Sequence, residues 1–116
     1  MNNTINLSAL REEGFKKLID RISGDDAYII DGDDIKLSGE YYEKQMRLAL
    51  RNYGIINPES IDEYIGRGGY SALEKAIFEL SSEDIINLLI DANLRGRGGA
   101  GFPIGLKWKG AYTQQS

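Results

Sequence analysis

The chain has 116 residues, of which 18 acidic and 14 basic leave a net charge of −4; that length suits one modest domain, and the sign argues against nucleic acid as the main partner. Cysteine and histidine are both absent, which excludes disulfides, thiolate nucleophiles and cysteine-ligated clusters and removes the commonest general base and metal ligand. With no apolar run of about 18 residues and no signal-peptide pattern, a soluble, cytoplasmic chain without direct membrane insertion is expected.

Met1 to about Asn6 is polar and reads as a loose end. Leu7, Leu10, Phe15, Leu18, Ile19 and Ile22 then recur largely at helical spacing, with Ser8 as a possible start and Gly24 as a stop. Gly14 is a local cost inside that helix. Five aspartates, Asp25, Asp26, Asp31, Asp33 and Asp34, crowd Tyr28-Ile29-Ile30 and Gly32, which suggests a small hairpin with Ile35 and Leu37. A calcium loop is the sharper reading of the aspartates, but the EF-hand order of ligands and its closing glutamate are missing, so a solvated acidic turn is preferred. Residues 1–39 thus read as an extension or linker with one helix and an acidic turn.

From Glu40 onward the chain reads as a run of short, capped helices. Tyr42, Met46, Ala49, Leu50 and Tyr53 form one helical stripe ended by Gly54. Asn57-Pro58 reads as an N-cap with proline at the first helical position, and Ile61, Tyr64 and Ile65 as the buried side of that helix. Ala72, Leu73, Ala76, Ile77 and Leu80 define the next helix. Ser81 with Asp84 is a capping-box signal for another, carried by Ile85, Ile86, Leu88 and Leu89 to about Ala92. No alternating strand set suggests a central sheet. The expected fold class is mainly α, leading to a glycine-rich ligand loop.

That loop runs L-R-G-R-G-G-A-G-F-P-I-G-L-K-W from Leu94 to Trp108. Its glycines are too dense for a helix or strand interior. They allow bare backbone N–H groups to form a concave anion nest, and a helix starting near Gly105 or Leu106 adds its own free N–H groups and positive dipole end. Arg95, Arg97, Lys107 and Lys109 surround it, and no acidic residue follows Asp91. Phe102 and Trp108 supply flat faces. The chemistry is that of a cradle for a phosphorylated, aromatic ligand. Gly96-x-Gly98-x-x-Gly101 also fits the dinucleotide fingerprint, but that motif needs a preceding strand and an acidic residue about 20 positions on; here the preceding segment reads as a helix, and the sequence ends before the acidic position is reached. The plain alternative is a glycine-rich connector between helices, and an arginine–glycine RNA tail is unsuited to a single embedded run.

G-R-G-G-A-G-F-P-x-G-x-K-W resembles the flavin-binding loop of the NADH-oxidising flavoprotein subunit shared by respiratory complex I and NAD-linked hydrogenases and formate dehydrogenases. Gln45-Met46-Arg47, Asn52-Tyr53-Gly54, Asn57-Pro58-Glu59-Ser60-Ile61-Asp62-Glu63-Tyr64-Ile65 and Gly68-Gly69-Tyr70-x-Ala72-Leu73 follow the same family's order. The resemblance covers about Glu40 to Trp108. Ile104 stands where the family usually has threonine, Tyr53 where it often has cysteine, and Gly110 where a larger residue is usual.

The resemblance implies the helical N-terminal part of an α/β FMN/NADH-binding domain over residues 40–116, truncated before most of its sheet. It implies FMN and NAD(H) as cofactors, since this chain alone must borrow its redox chemistry. The cofactor-binding residues it carries over are Gly96, Arg97, Gly98, Gly99, Ala100, Gly101, Phe102, Gly105 and Lys107. Gly96 and Gly98 bring backbone to FMN, Lys107 is a cationic partner, and Phe102 stacks near the nicotinamide nucleotide. No catalytic acid or base is implied, because holding a hydride donor against a flavin is positioning chemistry. The family's acidic flavin segment and the cysteines of its four-iron four-sulfur cluster lie downstream of these motifs. Implied partners are the remainder of the flavoprotein subunit, a thioredoxin-like two-iron two-sulfur subunit and a larger iron–sulfur subunit, in a cytoplasmic assembly that is peripheral where the complex is membrane-bound. Alone, the chain is expected to be inactive. The competing reading is a non-catalytic helical docking module with a disordered glycine loop.

Overall fold

A computed structural model describes residues 5–114; the reading of residues 1–4 as loose lies outside them. The elements are α1 (Leu7–Ile22), β1 (Tyr28–Asp31), β2 (Asp34–Leu37), α2 (Glu40–Glu43), α3 (Ile61–Gly66), α4 (Ser71–Phe78), α5 (Ser82–Asp91) and α6 (Ile104–Thr113). The described residues are mainly α with one two-stranded antiparallel sheet. It divides after Ser71 into two compact units.

In the first unit Asn6, not Ser8, caps α1, its side chain accepting from the Ala9 N–H at 3.1 Å. The stripe expected on this helix delivers Leu18 and Ile22 to the core, where both are fully buried with Ile35 and Ile55. Phe15, Ile19, Tyr28, Leu37 and Ile56 pack around them. The acidic turn forms the expected hairpin, pairing Tyr28 with Leu37 and Asp31 with Asp34. Its register turns Ile35 inward and leaves the aspartates exposed.

Gly14 is explained by what crosses it. A Cβ there would overlap the backbone carbonyl of Asp62 and stand 3.0 Å from the Gly66 nitrogen, and a Cβ on Gly66 would overlap the backbone of Gly14 and Phe15. Two glycines facing each other let α1 and α3 touch backbone to backbone. The same pair of helices is clamped by a salt bridge. Arg21 donates to both oxygens of Glu63, at 2.6 and 2.9 Å, and to the Ile55 carbonyl, while the Asn57 N–H donates to Glu63 at 2.6 Å. Glu63 is buried and Arg21 is partly exposed.

Burial pushes the Glu63 carboxyl up, but the bonds from Arg21 and the Asn57 N–H outweigh it, and the group titrates below its ordinary range. A depressed carboxyl contributes stability that is complete above its unfolded pKa and is lost as pH falls through the folded value. Glu63→Gln should therefore cost about 1.5–3 kcal/mol near neutrality, and its unfolding curve should converge on that of the parent chain in acid. Urea midpoints taken from pH 7 down to about pH 3 check this; a constant gap across that range would remove Glu63 from the acid limb.

The stretch after α2 departs from the sequence reading. The expected helix through Tyr53 ends at Glu43, and residues 44–60 run as bends and turns. Met46 is 88% exposed and Tyr53 71%. A short helix is marginal unless a packed face supports it, and this stripe meets no such face among the described residues. Arg47, donating to the Tyr53 carbonyl at 2.9 Å, and Arg67, donating to Asn52 at 3.2 Å, fasten the turns instead. Likewise α3 starts later than Asn57-Pro58 suggested. Ser60 is its N-cap, accepting from the Glu63 N–H, while the Asn57 side chain closes a local turn onto the Glu59 N–H at 3.1 Å.

In the second unit the capping box is present as expected. Ser81 accepts from the Asp84 N–H, and Asp84 accepts from the Ser81 N–H. Helix α5 ends at Asp91, Asn93 takes a positive φ of 50°, and α6 returns along it after the glycine loop.

Candidate ligand loop

The loop is built on the turn from α5 into α6. Leu94 and Ile104 close its base, the Ile104 N–H donating to the Leu94 carbonyl at 2.9 Å. One residue pair further in, Arg95 and Pro103 make an isolated antiparallel bridge, and the Gly96 N–H donates to the Phe102 carbonyl at 2.8 Å. A turn closes the tip, where the Gly101 N–H donates to the Gly98 carbonyl at 3.0 Å. The Arg95 guanidinium reaches the Gly101 carbonyl at 3.4 Å and braces the tip from the side. The segment is irregular, as its glycine density predicted, and what precedes Gly96 is helix and turn. A single bridge is not the strand that a dinucleotide fingerprint requires.

The glycines divide by what they do. Gly101 has φ of 57°, a left-handed conformation that side chains disfavour. Gly105 is buried in the first turn of α6, and a Cβ there would stand 2.6 Å from Ile90 Cγ1 and 2.7 Å from Ile90 N. Its place in the fold is to let α6 lie against α5. Gly98 and Gly99 are different: neither has a left-handed φ, and among the described residues a Cβ on either meets nothing within 4 Å. The chain's own packing does not demand glycine at these two positions. Arg97 and Ala100 are exposed beside them. Gly96 is intermediate, with ordinary contact to the Phe102 carbonyl.

Charge is concentrated here. Helix α6 has Pro103 at its N-cap, with no side-chain cap and no acid in its first turn, so beyond the Ile104 N–H, which Leu94 takes, its opening N–H groups and positive dipole end are uncompensated from within that turn. Lys107 sits on that first turn, where a cation opposes the dipole. Together with Arg95, Arg97 and Lys109 it makes four positive charges, and no acidic residue follows Asp91. Among the described residues none of these four enters a salt bridge. Such an end is poor for helix stability and suited to an anion. Phe102 is 56% exposed and Trp108 51%, so flat apolar faces stand on the same segment.

Gly96, Arg97, Gly98, Gly99, Ala100, Gly101 and Phe102 therefore share one bonded loop, and Gly105 and Lys107 share the start of α6. The bracing role of Arg95 and the packing of Gly105 on Ile90 were not assigned from sequence. An arginine flanking a glycine run signals the first; the second depends on a contact across two helices and leaves no local mark.

No protein-family model matches the chain, and no solved structure gives a significant match. Curated relatives do. The NADP-reducing hydrogenase subunit HndC of Solidesulfovibrio fructosivorans is 50% identical over 66 residues, 57% of this chain and 13% of that protein. The F subunit of the NADH-quinone oxidoreductase of Aquifex aeolicus is 49% identical over 69 residues, 60% of this chain and 16% of that protein. Its counterpart in the NADH-quinone oxidoreductase of Escherichia coli is 51% identical over 51 residues, 44% of this chain and 12% of that protein. The resemblance to the complex I and hydrogenase subunits is thus shown over about half of the chain, which spans only a small part of each relative.

Proposed function

We propose that this chain is the front portion of an NADH-oxidising flavoprotein subunit, and that the loop from Arg95 to Phe102 with the start of α6 is one wall of an FMN site. The observation that carries the reading is the open backbone at Gly98 and Gly99, beside an uncapped, acid-free helix start. That donor set fits a flavin phosphate and the close approach of a flat ring. Bound FMN would supply the hydride-accepting chemistry for NADH, with iron–sulfur clusters outside this segment as the onward electron acceptors. Gly96, Gly98 and Gly99 would admit the cofactor against bare backbone, Arg97 and Lys107 would meet its negative charge, and Phe102 would offer a face to the nicotinamide nucleotide. These residues position and hold. Gly101 and Gly105 shape the loop and seat α6. On this reading residues 40–116 are the helical front of an α/β FMN-binding domain. Residues 1–39 are an extension whose Leu18, Ile22 and Ile35 complete the core around Ile55. The remainder of the flavoprotein and its two iron–sulfur partner subunits complete the assembly, on the cytoplasmic side; no helix among the described residues is long and apolar enough to cross a membrane. The docking-module alternative needs a disordered glycine loop, and the hydrogen bonds across Arg95–Pro103 speak against that.

The decisive experiment is on a complete subunit carrying this sequence: bound FMN per chain, and bleaching of its absorbance by NADH. A well-folded subunit without flavin would sink the proposal. The chain by itself holds only one wall. With FMN no more concentrated than its Kd, stabilisation is at most about 0.4 kcal/mol, a thermal shift of about 2–3 °C. Micromolar FMN should give no more than that; a shift of about 10 °C would show that these residues suffice and that the missing wall is not needed.

A further inference from the structure

The first unit carries a separate cationic cleft of about 270 Å³. Buried Ile35 and Ile55 reach it from the core, and Arg47, Arg51 and Arg67 line it with Tyr42. Lys36 makes a fourth cation against two carboxylates, Asp34 and Glu43, and Asp34 is already paired with Lys36 at 3.0 Å.

The arginines are held in place by neutral groups. The Arg47 guanidinium stands 5.7 Å from the ring centroids of both Tyr42 and Tyr53 and bonds the Tyr53 carbonyl. Arg67 is half-buried, donating to Asn52 at 3.2 Å and to the Asp33 carbonyl at 3.3 Å. Burial pulls its pKa down; the charge of Asp34 opposes this, and the neighbouring charge of Arg51 adds a smaller downward push. Among the described residues none of the three arginines enters a salt bridge, and the Arg51 side chain makes no hydrogen bond. A fold keeps like charges crowded over an apolar floor at a cost, unless something anionic joins them.

We infer that this cleft binds a small organic anion, a phosphate or carboxylate on a compact apolar body. The guanidinium forks take the charged group, and Ile35, Ile55 and Tyr42 take the body. The volume suits a ligand below drug size. The inference does not rest on the flavin reading, which concerns the other unit.

Amide and arginine side-chain N–H resonances of the 116-residue chain, titrated with phenyl phosphate, benzoate, inorganic phosphate and benzyl alcohol, test it. Phenyl phosphate should move Arg47, Arg51, Arg67 and residues 34–37 in a saturable way. Benzoate should follow the same resonances if a carboxylate serves, inorganic phosphate should bind more weakly, and benzyl alcohol should not bind. Arg51→Gln, which breaks no bond of the fold, should weaken phenyl phosphate about tenfold, the weight of one charge-assisted contact, with the melting temperature held or raised because one crowded charge is gone. Shifts confined to residues 95–109 would overturn the cleft while leaving the flavin proposal standing. An equal response to benzyl alcohol, or unaltered affinity in Arg51→Gln, would overturn it as well.

Discussion

Gly98→Val, made in a complete subunit carrying this sequence, is expected to abolish flavin retention while leaving the protein folded. The two effects separate because of where Gly98 lies. Its φ is not left-handed and among the described residues a Cβ there meets nothing within 4 Å, so the branched side chain should alter stability by no more than about 0.5 kcal/mol. If the open backbone faces the cofactor, the same side chain occupies cofactor space, and flavin content should fall by more than tenfold, at least about 1.4 kcal/mol of binding. Gly101 would be a poor test, since its φ of 57° makes any substitution strained with or without a ligand. Gly105 would be another, because Ile90 blocks it. Lys107→Ala adds no bulk and removes one charge-assisted contact, about 1.5–3 kcal/mol if formed; it should loosen flavin by a smaller factor. Bound flavin per folded chain, read beside the melting temperature, decides. Full flavin in both variants would take the cofactor away from this loop.

Gly14→Ala is expected to be the most destabilising single-methyl change in the chain. In an ordinary helix interior this substitution gains about 0.5–1 kcal/mol. Here the added carbon would overlap the Asp62 carbonyl, a backbone atom that no rotamer change can move. Helices α1 and α3 must separate, pulling Arg21 from Glu63. A loss of roughly 3 kcal/mol or more follows, lowering the melting temperature by on the order of 10–15 °C. Gly110→Ala is the matched control: it lies within α6 with nothing within 4 Å of an added Cβ among the described residues and should stabilise by up to about 1 kcal/mol. Should Gly14→Ala melt at or above the parent chain, the crossing as described is wrong.

What could be read in the sequence was what is decided within a few residues. Ser81 and Asp84 announce their helix because both halves of the capping box lie in one turn. The hairpin at Gly32 is local in the same way, and so, to within two residues, are the irregular loop, expected to reach Gly105 and ended at Pro103, and the start of α6, expected near Gly105 or Leu106 and found at Ile104. The stripe from Tyr42 to Tyr53 misled because periodicity states only that a helix could bury one face. The Gly14–Gly66 crossing and the Arg21–Glu63 clamp each join residues far apart in sequence, and nothing beside either partner marks the other. Gly14 could be seen as a cost in its helix, but not as the reason two helices meet. In the candidate site the composition was legible, whereas the division of labour was not: Gly98 and Gly99 open, Gly101 bent, Gly105 packed.

That crossing also sets an order of events on the ribosome. The Leu18 and Ile22 side of α1 finds Ile35 as soon as the hairpin is made, whereas Gly14 and Arg21 wait for Asp62, Glu63 and Gly66 to be synthesised. At the usual elongation pace the delay from the end of the hairpin to the end of α3 is roughly 1.5–6 s, long against the microseconds in which a helix or hairpin forms. During it α1 is a half-docked helix with a bare glycine notch, and α3 arrives last, as the piece that locks the first unit.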